Sequence, residues 1–336
     1  MNYHKKQHKM VQSDKNLKSL IKTLEEVLSP AQNKINQNFG TPKWPIGMII
    51  GSPRSGSTVF LQFLAATGIF AYPTNFLARF AYAPYIGAMI QKMLFDESFD
   101  YQGQFSDIQS SLSFDSELGI SRGALATNEF YYFWRTWIKK TFPEPLSISE
   151  ISKIDFKKIA QALSSIEAVL SKPFCTKGML HQFNLKEFYQ NQPYSFYFRI
   201  MREPFYICQS LWHAREKYFG DRSQWYSAKP KEYRWLKEMD IHHQIAGQVY
   251  FTEKAISEGL KHVPEGSQLT VTYESFCRSP EDIYLQIVKK YSDLGCKLPK
   301  TYSGPKSFNN SNKVRLSKAD EEKIKEAYEY FSFGKN

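Results

Sequence analysis

The eight residues Gly51-Ser52-Pro53-Arg54-Ser55-Gly56-Ser57-Thr58 constrain this chain more than any other stretch. An apolar run, Ile46 to Ile50, leads into them, and a helical pattern, Val59-Phe60-Leu61 with Phe63-Leu64, leads out. The order strand, glycine-bearing loop, helix turns successive backbone N–H groups toward one point at a helix N-terminus. A phosphate-like anion fits there, held by the N–H groups and the positive end of the helix dipole. The spacing is G-x-x-x-x-G-x-[ST], that of a P-loop, but Ser57 stands where the lysine that reaches a β/γ-phosphate would be. A different cation, Arg54, sits three positions earlier. The loop therefore predicts an anion, and a magnesium nucleoside triphosphate is not the first choice.

With 336 residues the chain has room for a sizeable core in one large domain or two. Its 42% apolar and 16% aromatic content excludes a disordered chain. No apolar run is long enough for a membrane span, and the basic start, Met1 to Lys9, is not followed by the apolar core of a secretory signal. Cys175, Cys208, Cys277 and Cys296 are widely spaced, without a C-x-x-C pair, and are expected to be free thiols in a cytoplasmic protein with no metal site. The net charge of +11 points to an anionic partner. No long Lys/Arg tract or nucleic-acid-reading motif accompanies it, so nucleic acid is not expected.

Residues 1–40 read as a helical appendage. Leu17, Leu20, Ile21, Leu24 and Leu28 follow helical spacing, and Ser29-Pro30 ends the pattern. Its apolar stripe either packs on the domain or meets a membrane surface or partner helix. Residues 41–336 form the main domain. After the loop come a helix over 57–67 closed by Gly68, a short strand over 69–72, and a helical stretch over 75–95. An irregular polar excursion over 96–126 and an aromatic helix over 128–140 follow. The region 72–145 thus reads as a helical and loop insertion, and its excursion over 96–126 either covers or shapes a substrate site or is a disordered loop. Strands are expected over 173–176, 195–201 and 268–273. Helices are expected over 155–170, from Pro204 to 218, over 240–262, from Ser279 to 294, and from Ser317 onward. This alternation predicts an α/β domain with a parallel sheet and helices on both faces.

In open parallel sheets, ligands gather outside the carboxyl ends of the strands. Those ends carry Ser52-Pro53-Arg54, Lys177, Arg202 and Tyr273-Glu274. Three of the four present a cation, beside a loop built for an anion. Ser210, eight residues after Arg202, lies about two turns into the next helix and adds a hydroxyl donor.

These elements resemble the sulfotransferases that use 3′-phosphoadenosine 5′-phosphosulfate. Pro53-Arg54-Ser55-Gly56-Ser57-Thr58 is similar to the loop that holds the 5′-phosphosulfate. Phe198-Arg199-Ile200-Met201-Arg202-Glu203-Pro204, through Ser210, is similar to the element that holds the 3′-phosphate. Val271-Thr272-Tyr273-Glu274-Ser275-Phe276 and Ser279-Pro280-Glu281 resemble the family's Tyr-Glu strand and Pro-led helix. Asn128-Glu129-Phe130 with Phe133-Trp134-Arg135 resembles a segment of bacterial members. The motifs keep the family's order over about residues 45–295.

The resemblance implies a three-layer α/β fold, P-loop-like, with a central parallel sheet flanked by helices. It implies transfer of a sulfuryl group to a hydroxyl or amine acceptor, without a metal, and a hydroxyl of a carbohydrate or small metabolite is the expected acceptor. Arg54 would meet the leaving phosphosulfate, with Ser55, Gly56, Ser57 and Thr58 as loop contacts. Arg202 and Ser210 would hold the 3′-phosphate, and Lys177 matches a lysine that reaches the bridging oxygen or the acceptor. Tyr273 is either a nucleotide contact or a core aromatic. The acceptor hydroxyl needs a general base. Glu129, among aromatics suited to an acceptor wall, is the candidate, with His213 and His181 in reserve. The chain departs from the family in two places. Asn75 stands where the family often has its base, and no C-terminal glycine-rich nucleotide loop is evident. Residues 309–315 either substitute for that loop or form a surface linker. Trp225-Tyr226-Ser227-Ala228-Lys229-Pro230 is either an acceptor-side loop or core packing. The rival readings are a nucleotide-kinase-like phosphotransferase and a non-catalytic nucleotide- or polyanion-binding protein.

Overall fold

The computed structural model describes residues 3–100, 102–104, 106, 116–117 and 120–334. Six strands occur among them: β1 (Ile46–Ile50), β2 (Ser116–Glu117), β3 (Ile120–Ser121), β4 (Cys175–Lys177), β5 (Ser195–Met201) and β6 (Gln268–Thr272). β2 and β3 make a small antiparallel ribbon. The other four form one sheet in the order β4-β1-β5-β6, parallel throughout.

The two sides of this sheet bury different residues, as period-2 alternation requires. Ile46, Met48, Ile50 and Tyr197 face a cluster that includes Phe130, Phe133, Ile159, Leu163 and Ile166, from helices or the residues beside them. Ile49, Phe196, Phe198, Ile200 and Val271 face Phe60, Phe63, Phe276, Tyr284 and Ile287. Helix–sheet–helix layering follows, and β1 is buried along its whole length. Gly47 is small because a Cβ there would stand 2.9 Å from Phe198 Cε2 and 3.1 Å from Cys175 Cβ, one on each neighbouring strand.

Register brings the carboxyl ends together. Ile49 pairs with Lys177, Ile50 with Arg199, and Met201 with Thr272. Residues 51–56, Lys177, Arg202 and Tyr273 therefore leave the sheet on one edge.

Several elements differ from their sequence-based expectations. The first helix spans Tyr3–Asn36, with Pro30 inside it. Proline removes one intrahelical bond, but docking of the following turns compensates. Gln32 and Asn36 are buried, and Gln32 accepts the Tyr85 N–H at 3.1 Å. This helix lies against the helices Pro84–Phe95 and Phe156–Leu170. Residues 69–72 form no strand, only the single bridge Ala71–Phe174. The 75–95 stretch splits into a 3-10 turn, Leu77–Phe80, and the helix Pro84–Phe95, whose proline opens it. β6 ends one residue early, because the Thr272 hydroxyl accepts from Ser275 N and caps the helix Tyr273–Arg278. Much of the excursion over 96–126 lies outside the described residues.

Candidate functional site

The loop is built around backbone geometry that only some residues tolerate. Gly56 has φ 105° at the start of the helix Ser57–Ala66, and Arg54 has φ 74°. A Cβ on Gly51 would lie 2.6 Å from the Ile200 carbonyl oxygen, and one on Gly56 would lie 2.5 Å from Tyr273 Cδ2. The loop thus presses on β5 from one side and on Tyr273 from the other. Glu253 steadies its start by accepting the Ser52 N–H at 3.2 Å, while Arg199 pairs with that carboxylate at 2.9 Å. The Ser52 and Ser55 hydroxyls are buried without a hydrogen-bond partner among the described residues.

Three cations surround this loop. Arg54 Nε donates to Ser210 Oγ at 3.0 Å, joining two predicted phosphate ligands. Arg202 donates through Nη1 to the Arg54 carbonyl at 3.0 Å, through Nη2 to Ser311 Oγ at 3.1 Å, and through Nε to Asn312 Oδ1 at 2.8 Å. Its guanidinium also lies over Tyr273, 4.6 Å from the ring centroid. Lys177 has a side chain only 4% exposed and donates to Thr58 Oγ1 at 2.7 Å and Glu129 Oε1 at 2.6 Å. Arg202 therefore bonds to neutral oxygens, and among the described residues no carboxylate pairs with it directly, so its charge is open to an arriving phosphate.

A cavity of about 1000 Å³ opens over these groups. Arg54, Gly56, Ser57, Thr58, Lys177, Arg202 and Tyr273 line one part of it. Glu129, Tyr131, Tyr218, Tyr226 and Ser227 line another. A second cavity of about 290 Å³ adjoins it, sharing Glu129, Tyr131, Tyr218 and Tyr226. Tyr218 and Tyr226 stack with centroids 5.1 Å apart and rings 8° from parallel. Flat aromatic faces beside hydroxyl and amide donors suit a ring-bearing polar molecule.

Glu129 reaches Lys177 through a local device. It precedes the helix Tyr131–Trp137 rather than lying within it, and Phe130 between them adopts φ 56°. Asn128 Oδ1 accepts the Phe130 N–H at 2.9 Å, and Asn128 Nδ2 donates to Asn75 Oδ1 at 2.8 Å. Asn75 also donates to the Ser121 and Gly123 carbonyls, both at 2.9 Å. Asn75 thus ties down the segment that carries Glu129.

The two histidines lie elsewhere. His181 is fully buried, stacked on Phe188 at 4.1 Å and edge-on to Trp134 at 4.5 Å, and it does not line either cavity. Burial pushes its pKa down to about 3, so it stays neutral. His213 is half-buried on the helix Pro204–Phe219 and lines neither cavity. Burial, then the charges of Arg315 and Arg222, lowers its pKa below the ordinary range. Neither Ser55 nor Ser210 lines the cavity, and Ser210 reaches the site through its hydrogen bond from Arg54.

Sequence reasoning left the two remaining segments open between alternatives, and both meet the cavity. Asn309 and Ser311 line it, and Tyr273 Oη shares a hydrogen bond with Ser311 Oγ at 3.0 Å. Gln209 holds the same segment by donating to the Lys313 carbonyl at 2.8 Å. The Tyr226-Ser227 loop is anchored from the core. Gln248 Nε2 donates to the Tyr226 and Ala228 carbonyls, both at 2.7 Å. Arg215, fully buried, bonds to Gln244 and Gln248 at 3.0 Å each, and lies over Trp225. Trp225 packs inward while Tyr226 faces the cavity, so neighbouring residues divide the two expected roles. Glu253 was missed altogether. A lone carboxylate on a helix carries no signal until β1 and β5 set it beneath the loop.

Among the described residues, no three His, Cys, Asp or Glu converge as a metal site would need. The four cysteines are buried and free, and no described helix is long and apolar enough to cross a membrane.

No family model and no curated protein matches the chain. Among solved structures it is similar to sulfotransferase STF1 from Mycobacterium tuberculosis H37Rv, with TM-score 0.50 and 14% identity over 91% of this chain and 81% of that one. Sulfotransferase STF9 from Mycobacterium avium aligns with TM-score 0.49 and 11% identity, over 90% and 70% of the two chains. A sulfotransferase from Alicyclobacillus acidocaldarius aligns with TM-score 0.41 and 11% identity, over 85% and 92%. The chain has the fold of the sulfotransferases, with the loop 51–56, Lys177 and Arg202 at the carboxyl edge of the parallel sheet.

Proposed function

We propose that this protein is a sulfotransferase that moves a sulfuryl group from 3′-phosphoadenosine 5′-phosphosulfate to a hydroxyl of a ring-bearing acceptor, such as a carbohydrate or small metabolite. The observation that carries the reading is the meeting of Arg54, Lys177 and Arg202, each from the end of a different parallel strand, around one anion loop and one cavity.

In this reading Arg54 and the backbone N–H groups of residues 56–58 hold the 5′-phosphosulfate, while the Ser55 N–H closes the loop on the Ser52 carbonyl at 3.1 Å. Arg202 and Ser210 hold the 3′-phosphate, and Tyr273 forms the wall between them. Glu129 accepts the proton of the acceptor hydroxyl as its oxygen attacks sulfur. The new O–S bond forms while the bond from sulfur to the bridging oxygen breaks. The electron pair stays on that oxygen, which leaves as part of adenosine 3′,5′-bisphosphate. Lys177 and Arg54 stabilise the charge that grows there, and each such fixed donor is worth about 3 kcal/mol in comparable oxyanion sites. The tyrosines on the far side of Glu129 offer faces for the acceptor ring. Buried free thiols suit a cytoplasmic setting.

Thermal unfolding with ligands tests the reading. Adenosine 3′,5′-bisphosphate should raise Tm in a concentration-dependent way, and ATP with magnesium should raise it far less. A clear shift with ATP and magnesium but none with the bisphosphate would sink it.

A further inference from the structure

We propose that Glu129 occupies Lys177 as a placeholder until the nucleotide arrives, so that one lysine couples the nucleotide pocket to the acceptor pocket and makes nucleotide binding the first step. The inference rests on the sulfotransferase reading above.

The argument starts from the unequal environments of the pair. The Lys177 side chain is 4% exposed, so its ammonium cannot be left to water and needs an anion or several acceptors nearby. Among the described residues it has two, Thr58 Oγ1 at 2.7 Å on the loop helix and Glu129 Oε1 at 2.6 Å on the acceptor side. Thr58 is neutral, so Glu129 supplies the whole countercharge.

Glu129 is bound less strictly. Its side chain is 50% exposed, it lies on no helix, and it borders both cavities. Releasing its carboxylate to water costs little, whereas leaving Lys177 without an anion costs much. A phosphosulfate or 5′-phosphate seated beside Thr58 brings a replacement anion within reach of Lys177. Lys177 then turns its charge to the nucleotide, and Glu129 becomes free to accept a proton from a hydroxyl in the tyrosine-lined pocket. An acceptor arriving first would meet a carboxylate still engaged with Lys177.

Linkage gives this a measurable sign. Nucleotide binding must break the Lys177–Glu129 pair, so neutralising Glu129 should tighten nucleotide binding, and only through Lys177. A plain repulsion between Glu129 and the nucleotide also predicts tightening, but without any need for Lys177. A double-mutant cycle separates the two. Calorimetric titration of the full chain with adenosine 3′,5′-bisphosphate should show Glu129→Gln binding about fivefold tighter than wild type, the equivalent of the ~1 kcal/mol that a half-exposed pair contributes. Lys177→Met should bind more weakly, and adding Glu129→Gln to it should change nothing further.

Equal or weaker binding by Glu129→Gln overturns the proposal, as does equal tightening in the Lys177→Met background. Glu129→Ala serves as a second neutral variant, and a single cooperative unfolding transition in each protein, well above the titration temperature, guards against misfolding. Absence of bisphosphate binding by wild type would overturn the sulfotransferase reading itself, whereas binding without coupling overturns only the placeholder.

Discussion

Replacing Gly56 by alanine tests whether the loop's shape depends on the absence of one carbon atom. Two costs add. Gly56 has φ 105° and ψ 10°, a conformation in which a side chain is strained by about 1–3 kcal/mol. The new Cβ would also lie 2.5 Å from Tyr273 Cδ2 and 3.1 Å from Cε2, a contact that can only be relieved by movement. Tyr273 has little freedom to move. It is 4% exposed, its hydroxyl bonds to Ser311, and Arg202 lies across its face. Such overpacking costs about 1–3 kcal/mol more. The sum is about 2–6 kcal/mol. For a chain of 336 residues, an unfolding entropy of about 2.1 cal/mol/K per residue converts this to a Tm lower by roughly 3–9 °C. Differential scanning calorimetry provides the measurement. Tyr273→Leu in the same background should remove the steric part and leave the backbone part, so the two substitutions should be less than additive. A Gly56→Ala protein as stable as wild type, or strict additivity with Tyr273→Leu, would refute the reasoning. The displaced loop should also bind adenosine 3′,5′-bisphosphate at least tenfold more weakly by titration calorimetry.

Two further outcomes are expected. Arg202→Ala should weaken adenosine 3′,5′-bisphosphate by about 2 kcal/mol, roughly thirtyfold, while affecting adenosine 5′-phosphate less than threefold. Arg202→Lys should recover little, because the planar fork is lost, and equal losses for both ligands would remove Arg202 from the 3′-phosphate. Burial pushes the Glu167 carboxyl from 4.5 up to about 7, although it accepts the Lys43 N–H at 2.8 Å. The folded chain then keeps a proton that the unfolded chain has lost, so stability is fully present below about pH 4.5 and falls by about 3 kcal/mol as the pH rises to about 7. Denaturant titrations at several pH values should show this slope in wild type and not in Glu167→Gln; identical slopes would refute it.

The elements legible in the sequence are those whose signal is local. The loop Gly51–Thr58 follows an apolar strand and precedes an apolar helix, and strand-end cations such as Lys177 and Arg202 stand directly after the runs that place them. Alternation along β5 separates Phe196 and Phe198 from Tyr197, as two buried faces demand. Boundaries were less legible where a distant contact overrode the local rule. Pro30 did not end its helix because Gln32 docks against Tyr85, and Tyr273 left its strand because Thr272 found a partner in Ser275. Histidine chemistry suggested His181 as a base, yet burial between Trp134 and Phe188 follows from packing that no spacing reveals.

The chain's own order therefore determined that a glycine-bearing strand-to-helix loop, a parallel α/β core and cations at strand ends would exist, because dihedral preference, periodicity and adjacency act over a few residues. Tertiary structure decided which of these groups meet. Glu129 reaches Lys177 across 48 positions only because Asn75 fastens Asn128, and Ser311 reaches Arg202 across 109 positions through a loop without regular structure. The order β4-β1-β5-β6 sets Lys177 and Arg202 on opposite sides of the loop strand. Which charges share a cavity, and which are sealed from water, depends on burial, and burial is a property of the whole packed molecule.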